Sequence, residues 1–152
     1  MAHIEWTDDL NTDIQVIDSQ HLRIVEYINS LDDIKESHDR DEVGRVLNEL
    51  VDYTLSHFAF EESLMADAGY PFINGHKMVH ELFVKRVGDF QQRFKMGDDI
   101  AEELLTVLKS WLINHIKSDD NDYAETVRHN MKNINATKES GWLSRSVKKF
   151  FG

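Results

Sequence analysis

The sequence contains no cysteine and a single proline, Pro71, among its 152 residues. The absence of cysteine excludes disulfide bonds, thiolate metal sites and cysteine nucleophiles. Any bound metal must therefore be held by imidazole and carboxylate groups. Because there are also only seven glycines, long stretches carry no residue that breaks a helix. This composition favours an all-α chain.

Long hydrophobic runs are missing as well. No segment approaches the roughly 18 consecutive apolar residues that a membrane-spanning helix needs. The first residues show neither the basic nor the apolar region of a signal peptide, so we expect a cytoplasmic protein. With 41% hydrophobic and 30% charged residues, the composition is that of a folded globular chain.

Basic residues are too few to balance the acidic ones, and the net charge of −11 argues against general nucleic-acid binding. The charge is uneven, because residues 138–152 carry four basic residues and one acidic residue, a net of +3, which leaves −14 for residues 1–137. On a helix, residues 142–151 would separate an apolar side from a basic side. This segment either docks on an anionic membrane or a partner groove, or folds back onto its own bundle, which we favour.

Four stretches repeat apolar residues every three or four positions, which is the period of an amphipathic helix. Asp18 or Ser19 is the expected N-cap of the first helix, and the second spans about 41–66. Four helices with short connections predict an antiparallel up-down-up-down four-helix bundle. Residues 1–16 are apolar only in patches and are expected to form an arm laid over the bundle.

We therefore predict one bundle domain over residues 1–135, including the N-terminal arm. Residues 136–152 would form a basic amphipathic C-terminal tail that contains a short helix.

Polar residues interrupt the apolar stripes at positions that the period assigns to the core. Burying such groups without partners costs about 1–3 kcal/mol each, which a metal shared between the helices would offset. A single histidine in a core is more often a hydrogen-bonded structural residue. Here five of the eight histidines fall on the inward faces of all four helices, which favours a metal site. These residues are His21, His57, Glu61, His76, His80 and His115.

The number of ligands indicates how many metal ions are bound, and their chemistry indicates which metal. Five imidazoles with carboxylates are too many for one ion but suit two octahedral ions. A mixed imidazole and carboxylate set suits iron better than manganese or zinc. Ferritin-like di-iron proteins use a Glu-x-x-His motif, and this sequence contains none. Ferroxidase and oxygenase chemistry are therefore disfavoured.

These residues resemble the hemerythrin family in its single-domain bacterial form. The family pattern is a lone histidine followed by HxxxE, HxxxH and HxxxxD on successive helices. The chain has the same pattern, and the segments Ile17-Asp-Ser-Gln-His21, Ala68-Gly-Tyr-Pro-Phe72 and Trp111-Leu-Ile-Asn-His115 are also similar. The likeness covers residues 5 to about 130, with the motifs His21, His57-Phe-Ala-Phe-Glu61, His76-Lys-Met-Val-His80 and His115-Ile-Lys-Ser-Asp-Asp120.

The resemblance implies a non-haem centre of two iron ions. His76, His80 and His115 would saturate one iron, and His21 and His57 would hold the other. The carboxylates of Glu61 and Asp120, together with an oxo or hydroxo ion, would bridge the pair. The iron with two histidines would keep an open position at which dioxygen binds.

The assignment of Asp120 does not follow from helical periodicity. A regular helix places Asp119 above His115, whereas Asp120 is rotated away by roughly 140°. Because the family spacing requires Asp120, we predict a π-bulge or a distorted turn near 116–120.

Reversible binding of dioxygen also needs a dry apolar pocket. The candidates for its wall are Leu112, Trp111, Ile24 and Ile28, for which ordinary core packing is an equally good interpretation. His3, His38 and His129 lie outside the motifs and are expected at the surface. Tyr123 matches a tyrosine that commonly follows the last motif of the family, but no role can be read for it.

The function implied by the resemblance is reversible dioxygen binding for storage, transport or delivery, by a monomer that is not an enzyme. Two alternatives stay open. The chain could be an oxygen or redox sensor that acts through a partner protein. With less support, it could be a di-iron enzyme that handles peroxide or nitric oxide.

Overall fold

The structure is a computed structural model that describes residues 4–37 and 39–132, without the side chains of 118–121 and 130–132. The predicted C-terminal helix at 142–151 lies outside the described residues. Within them the chain is helical and contains no strand, which confirms the all-α prediction. The elements are a short 3₁₀ turn Asp8–Leu10, α1 Gln15–Ile34, α2 Arg40–Ala68, α3 Ile73–Lys95, α4 Ala101–Asn114, a π-helical segment His115–Asp120, and α5 Asn121–Lys132.

The elements form the predicted up-down-up-down bundle. Helix α1 packs against α2 and α4, and α2 packs against α3 and α5. The connections at 35–39, 69–72 and 96–100 are short, so neighbouring helices run antiparallel. Helix α4, the π segment and α5 follow one another without a break and together make the fourth rod. None of the described helices is long and apolar enough to cross a membrane.

Both ends of α2 are set by local sequence. Asp39 caps its start, because the carboxylate accepts hydrogen bonds from the backbone N–H groups of Asp41 and Glu42 at 3.1 and 3.2 Å. At its end Gly69 adopts a left-handed conformation with φ of 71°. The N–H groups of Gly69 and Tyr70 then bond back to the carbonyls of Ala66 and Met65. Pro71 follows, and the chain reverses into α3.

The N-terminal arm lies over the bundle as predicted. Leu10 and Ile14 are 1% exposed, and the backbone N–H of Ile4 donates to the side-chain oxygen of Asn29 in α1 at 2.9 Å. The predicted N-cap of α1 at Asp18 or Ser19 is wrong, because the helix begins at Gln15. Asp18 instead accepts hydrogen bonds from the backbone N–H and the hydroxyl of Thr12, both at 2.8 Å, and so holds the arm.

The apolar core is divided into two clusters. The larger includes Ile24, Leu50 and Leu108 from α1, α2 and α4. The smaller includes Ile17 and Leu64 near the other end of the bundle, with residues of α5. Along each rod, the polar residues that interrupt the apolar stripes lie between these two clusters. They form one buried polar layer across the bundle.

The fourth rod changes its helical period within this layer. Residues His115–Asp120 form a π-helix, which confirms the prediction of a distorted turn near 116–120. A π turn holds more residues than an α turn. It therefore brings position 120 nearer to the helix face that carries His115 than a regular α-helix would.

Candidate metal centre

The structure brings six of the predicted ligands together in the polar layer. All six are almost fully buried, with at most 5% of each residue exposed. One comes from α1, two each from α2 and α3, and one from the start of the π segment. They are His21, His57, Glu61, His76, His80 and His115.

The six residues form two groups that share one carboxylate. His76, His80 and His115 lie with Glu61 in one group, and His21 and His57 lie with Glu61 in the other. Within each group the candidate ligand atoms are within 4.8 Å of one another.

The carboxylate of Glu61 faces both groups. Its Oε1 atom is 3.1 Å from Nε2 of His57 and 3.5 Å from Nε2 of His80. Its Oε2 atom is 3.7 Å from Nε2 of His21. Such a position is the one that a bridging carboxylate between two cations requires.

The seventh predicted ligand is Asp120. Its backbone lies at the end of the π segment, but its side chain is outside the described residues, so its part in the site stays a prediction. Of the histidines outside the motifs, His129 is exposed as expected. His3 and His38 lie outside the described residues.

Two of the inward histidines contact polar side chains through the ring nitrogen that faces away from the ligand cluster. The Nδ1 atom of His57 lies 2.6 Å from Oε1 of Gln20, and Nδ1 of His80 lies 3.2 Å from Oε2 of Glu62. Burial raises the pKa of the Glu62 carboxyl above its ordinary value, while the charge of Lys77 opposes this rise. Both contacts leave the Nε2 atoms directed at the ligand cluster.

Tyr123 of α5 reaches the shared carboxylate. Its side chain is fully buried, and its hydroxyl donates a hydrogen bond to Oε2 of Glu61. The ring packs edge-on against His76, with 5.2 Å between the ring centroids. Sequence reasoning assigned no role to this tyrosine. The signal that could have indicated one is its place on the buried stripe of α5 with Ala124 and Val127.

Aromatic rings fix the orientation of two of the histidines. Phe58 stacks on His80 with 3.8 Å between centroids and an interplanar angle of 6°. Trp111 stacks on His115 at 4.4 Å and 16°. Because a stacked ring cannot tilt without losing its contact, these pairs restrict the directions in which the imidazole nitrogens point.

A small cavity adjoins both ligand groups, since His21 and His57 of one group and His115 of the other line it. Its volume is about 10 Å³, which is close to the space that one water-sized molecule needs. Its lining includes all four residues predicted for an oxygen pocket, Ile24, Ile28, Trp111 and Leu112, and side chains of the metal centre. The remaining residues of the lining are Leu50, Thr54, Phe58, Phe83 and Leu108.

Two stacked rings separate this cavity from the surface. Between α3 and α4 lies a groove of about 750 Å³, and Phe83, Trp111 and the predicted ligand His115 line both the groove and the cavity. Their rings are 3.8 Å apart and nearly parallel, at 19°. The Phe83–Trp111 pair is therefore a wall between the groove and the cavity.

The chemistry of the ligand atoms fits a pair of cations. Five imidazoles and one shared carboxylate exceed the number of protein ligands that a single catalytic zinc site uses. Mixed nitrogen and oxygen ligands suit iron, and the buried carboxylate would be costly if it faced no positive charge. The residues present can therefore hold two metal ions about the shared Glu61.

Comparisons with known proteins agree with this arrangement. The family model described as "Hemerythrin HHE cation binding domain" matches residues 12–127. The chain is 56% identical over 153 aligned residues to a bacteriohemerythrin of Pseudomonas aeruginosa, with 100% of both chains covered. It is 52% identical to a bacteriohemerythrin of Stenotrophomonas maltophilia, again with 100% of both chains covered.

A solved structure shares the fold as well as part of the sequence. The crystal structure of a wild-type hemerythrin superposes with a TM-score of 0.80 at 31% identity, and covers 83% of this chain and 98% of its own. The match of the family model and the full-length similarity point the same way. The chain belongs to the hemerythrin family.

Proposed function

We propose that this protein binds dioxygen reversibly at a non-haem di-iron centre. The observation that carries the proposal is the pair of ligand groups about Glu61, beside a small cavity that His21, His57 and His115 line. With three histidines on one side and two on the other, the two metal positions have unequal numbers of protein ligands. We propose that the small molecule binds on the side with fewer ligands.

The proposed ligand assignment follows the two groups. His76, His80 and His115 would bind one iron, and His21 and His57 the other. Glu61 would bridge the two ions, and Asp120 is proposed as the second bridging carboxylate. The hydrogen bond from Tyr123 to Glu61 Oε2 would hold the bridge in one orientation.

When bound, a pair of ferrous ions would supply the two electrons that reversible binding of dioxygen requires. The role of the protein is to keep water and protons from the binding position. Most of the cavity wall is apolar, and Thr54 brings the one hydroxyl group among its lining side chains. A wall of this kind favours release of the ligand unchanged over its protonation and loss.

Several uses are compatible with such a site. We propose oxygen storage, transport or delivery by a monomer, in line with the bacteriohemerythrin names of its relatives. The first alternative is a sensor in which the state of the irons alters a contact with a partner protein. Residues 142–151 are then the proposed contact. A peroxide- or nitric-oxide-handling enzyme is the second alternative.

The first experiment is an iron count followed by oxygen titration of the anaerobically reduced protein. We expect about two irons per chain and absorption bands that appear with oxygen and vanish when it is removed. His57→Ala should lose iron, whereas His129→Ala, which changes an exposed histidine, should keep it. Immediate irreversible oxidation would favour the sensor or the enzyme, and a wild-type chain without iron would refute the proposal.

A further inference from the structure

The histidines at positions 57 and 80 have the same surroundings at their two ring nitrogens. Their Nε2 atoms face the ligand cluster, at 3.1 Å and 3.5 Å from Oε1 of Glu61. Their Nδ1 atoms face away from it, towards the oxygens of Gln20 and Glu62. Because a carbonyl or carboxylate oxygen accepts and does not donate, we assign the ring hydrogen of both histidines to Nδ1, the tautomer that a metal ligand at Nε2 also requires. Each Nε2 lone pair is thereby left for a metal ion.

The two acceptors differ in charge. His57, in the group with two histidines, donates to the neutral amide oxygen of Gln20. His80, in the group with three histidines, donates to the carboxylate of Glu62. A carboxylate draws the Nδ1 hydrogen more strongly than an amide does, and so makes the imidazole a stronger electron donor at Nε2.

The surroundings of the two acceptors match their charges. Gln20 is 5% exposed and lies deep in α1, where a carboxylate would be a costly buried charge. The side chain of Glu62 is 27% exposed, so that water can still solvate its charge. The fold therefore places the amide on the dry side of the site and the carboxylate on the wetter side.

We propose that Glu62 and Gln20 are positioning residues that make the two metal positions electronically unequal. Through His80, Glu62 strengthens metal binding at the position with three histidines and stabilises the oxidised state there. Gln20 orients His57 without adding charge to the position with two histidines. This inference rests on the proposed two-metal site.

The test separates charge from geometry. Glu62→Gln keeps an oxygen that can accept from His80 but removes the charge, whereas Glu62→Leu removes both. Glu49→Gln is the matched control, since Glu49 is an exposed carboxylate on the same helix, paired with Arg45. It lies 13 residues from Glu62, about 20 Å along the helix at about 1.5 Å per residue.

The first readout is the binding of zinc to the metal-free chain, in competition with a chelator. Loss of a hydrogen-bond partner behind a ligand typically weakens metal affinity by about 10–100-fold. We expect Glu62→Gln to weaken one of the two equivalents by about tenfold, at the lower end of this range, and to leave the other unchanged. Glu62→Leu should weaken the same equivalent further, and Glu49→Gln neither.

The second readout reports charge alone. In the zinc-loaded protein labelled with ¹⁵N-histidine, the Nδ1 proton resonance of His80 should move upfield in Glu62→Gln, while that of His57 stays in place. In the iron-loaded protein, the midpoint potential of the metal pair should rise in Glu62→Gln and be unchanged in Glu49→Gln. A purely geometric role would leave the potential of Glu62→Gln at the wild-type value.

The outcomes distinguish this inference from the proposal on which it rests. A wild-type chain that binds fewer than two equivalents of metal would overturn the two-metal site, and the inference with it. If the wild type binds two equivalents and Glu62→Gln matches it in both affinities and in potential, only the inference is refuted.

Discussion

The hydrogen bond from Tyr123 to Glu61 leads to a prediction for the metal-free protein. Tyr123→Phe removes one hydroxyl and leaves the buried ring in place against His76. A hydrogen bond to a charged group contributes about 1.5–3 kcal/mol, and here its loss leaves a fully buried carboxylate with one donor fewer. We therefore expect the free energy of unfolding of the metal-free chain to fall by about 2 kcal/mol.

This change is large enough to measure in two ways. For a chain of this size, 1 kcal/mol shifts the melting temperature by about 2–4 °C, so the expected shift is about 4–8 °C. Urea titration of the same samples should show a lower midpoint with an unchanged slope. In the metal-loaded protein the loss should be smaller, because the bound cations then compensate the charge of Glu61.

The control is Tyr27→Phe, which removes a hydroxyl that accepts a long, exposed hydrogen bond from Arg23 at 3.4 Å. Its effect should stay within about 0.5 kcal/mol, as for most surface substitutions. If Tyr123→Phe costs no more than Tyr27→Phe, the hydroxyl of Tyr123 does not stabilise Glu61. The reasoning about the buried carboxylate would then be refuted.

Three further predictions concern the cavity, a buried ion pair and the backbone. Leu112→Asn places a polar group in the cavity wall. We expect autoxidation of the iron-loaded protein to accelerate on the order of tenfold, which corresponds to a barrier lower by about 1.4 kcal/mol. An unchanged rate would count against a role of Leu112 in excluding water. Asp32→Asn should lower the free energy of unfolding by about 1–3 kcal/mol at pH 7, because Asp32 accepts from Lys109 at 2.8 Å and pairs with Lys35 at 3.0 Å. Burial raises the pKa of Asp32, but these two lysines outweigh it and hold the pKa below its ordinary value. The contribution of these ion pairs to the free energy of unfolding is therefore present above the unfolded-state pKa of about 3.9 and is lost as the pH falls through the lowered pKa. Urea titrations of the metal-free variant and wild type should therefore converge in acid. Gly69→Ala should lower the free energy of unfolding by about 1–2 kcal/mol, because position 69 has a positive φ. Gly88→Ala, inside α3 and equally free of steric contact, should raise it by up to about 1 kcal/mol. If the melting temperature moves in the same direction in both variants, the backbone argument is refuted.

The bundle and most of the ligand cluster could be predicted because both depend on local periodicity. Histidines such as His21 and His76 stand on apolar stripes, and a stripe shows which side of a helix is buried. The π segment could be predicted only through the family resemblance, which requires Asp120 as a ligand. The spacing from His115 to Asp120 conflicts with an α-helix, and the backbone departs from α geometry in that segment.

The partners of the ligands could not be predicted, because they join residues far apart in sequence. Gln20 and His57 are 37 positions apart, and Tyr123 and Glu61 are 62 positions apart. Periodicity shows that each is buried but does not show which side chain it meets. The N-cap of α1 was misplaced for another reason: Asp18 is a typical N-cap residue, but it bonds to Thr12 of the arm, six positions away, and the helix starts earlier, after Ile14.

The Phe83–Trp111 wall has a consequence for how fast and how tightly a small molecule is bound. A barrier between groove and cavity slows entry and exit by the same factor, because both directions pass the same transition state. Substitutions in the wall that keep the stack of Trp111 on His115 would then change the exchange rate and leave the equilibrium occupancy unaltered. Gln20 and Glu62 contact the proposed ligands but line neither the groove nor the cavity. Substitutions there would change the equilibrium occupancy and leave this barrier unaltered. In this fold, therefore, the response time of the protein and the concentration at which it is half-saturated can evolve separately.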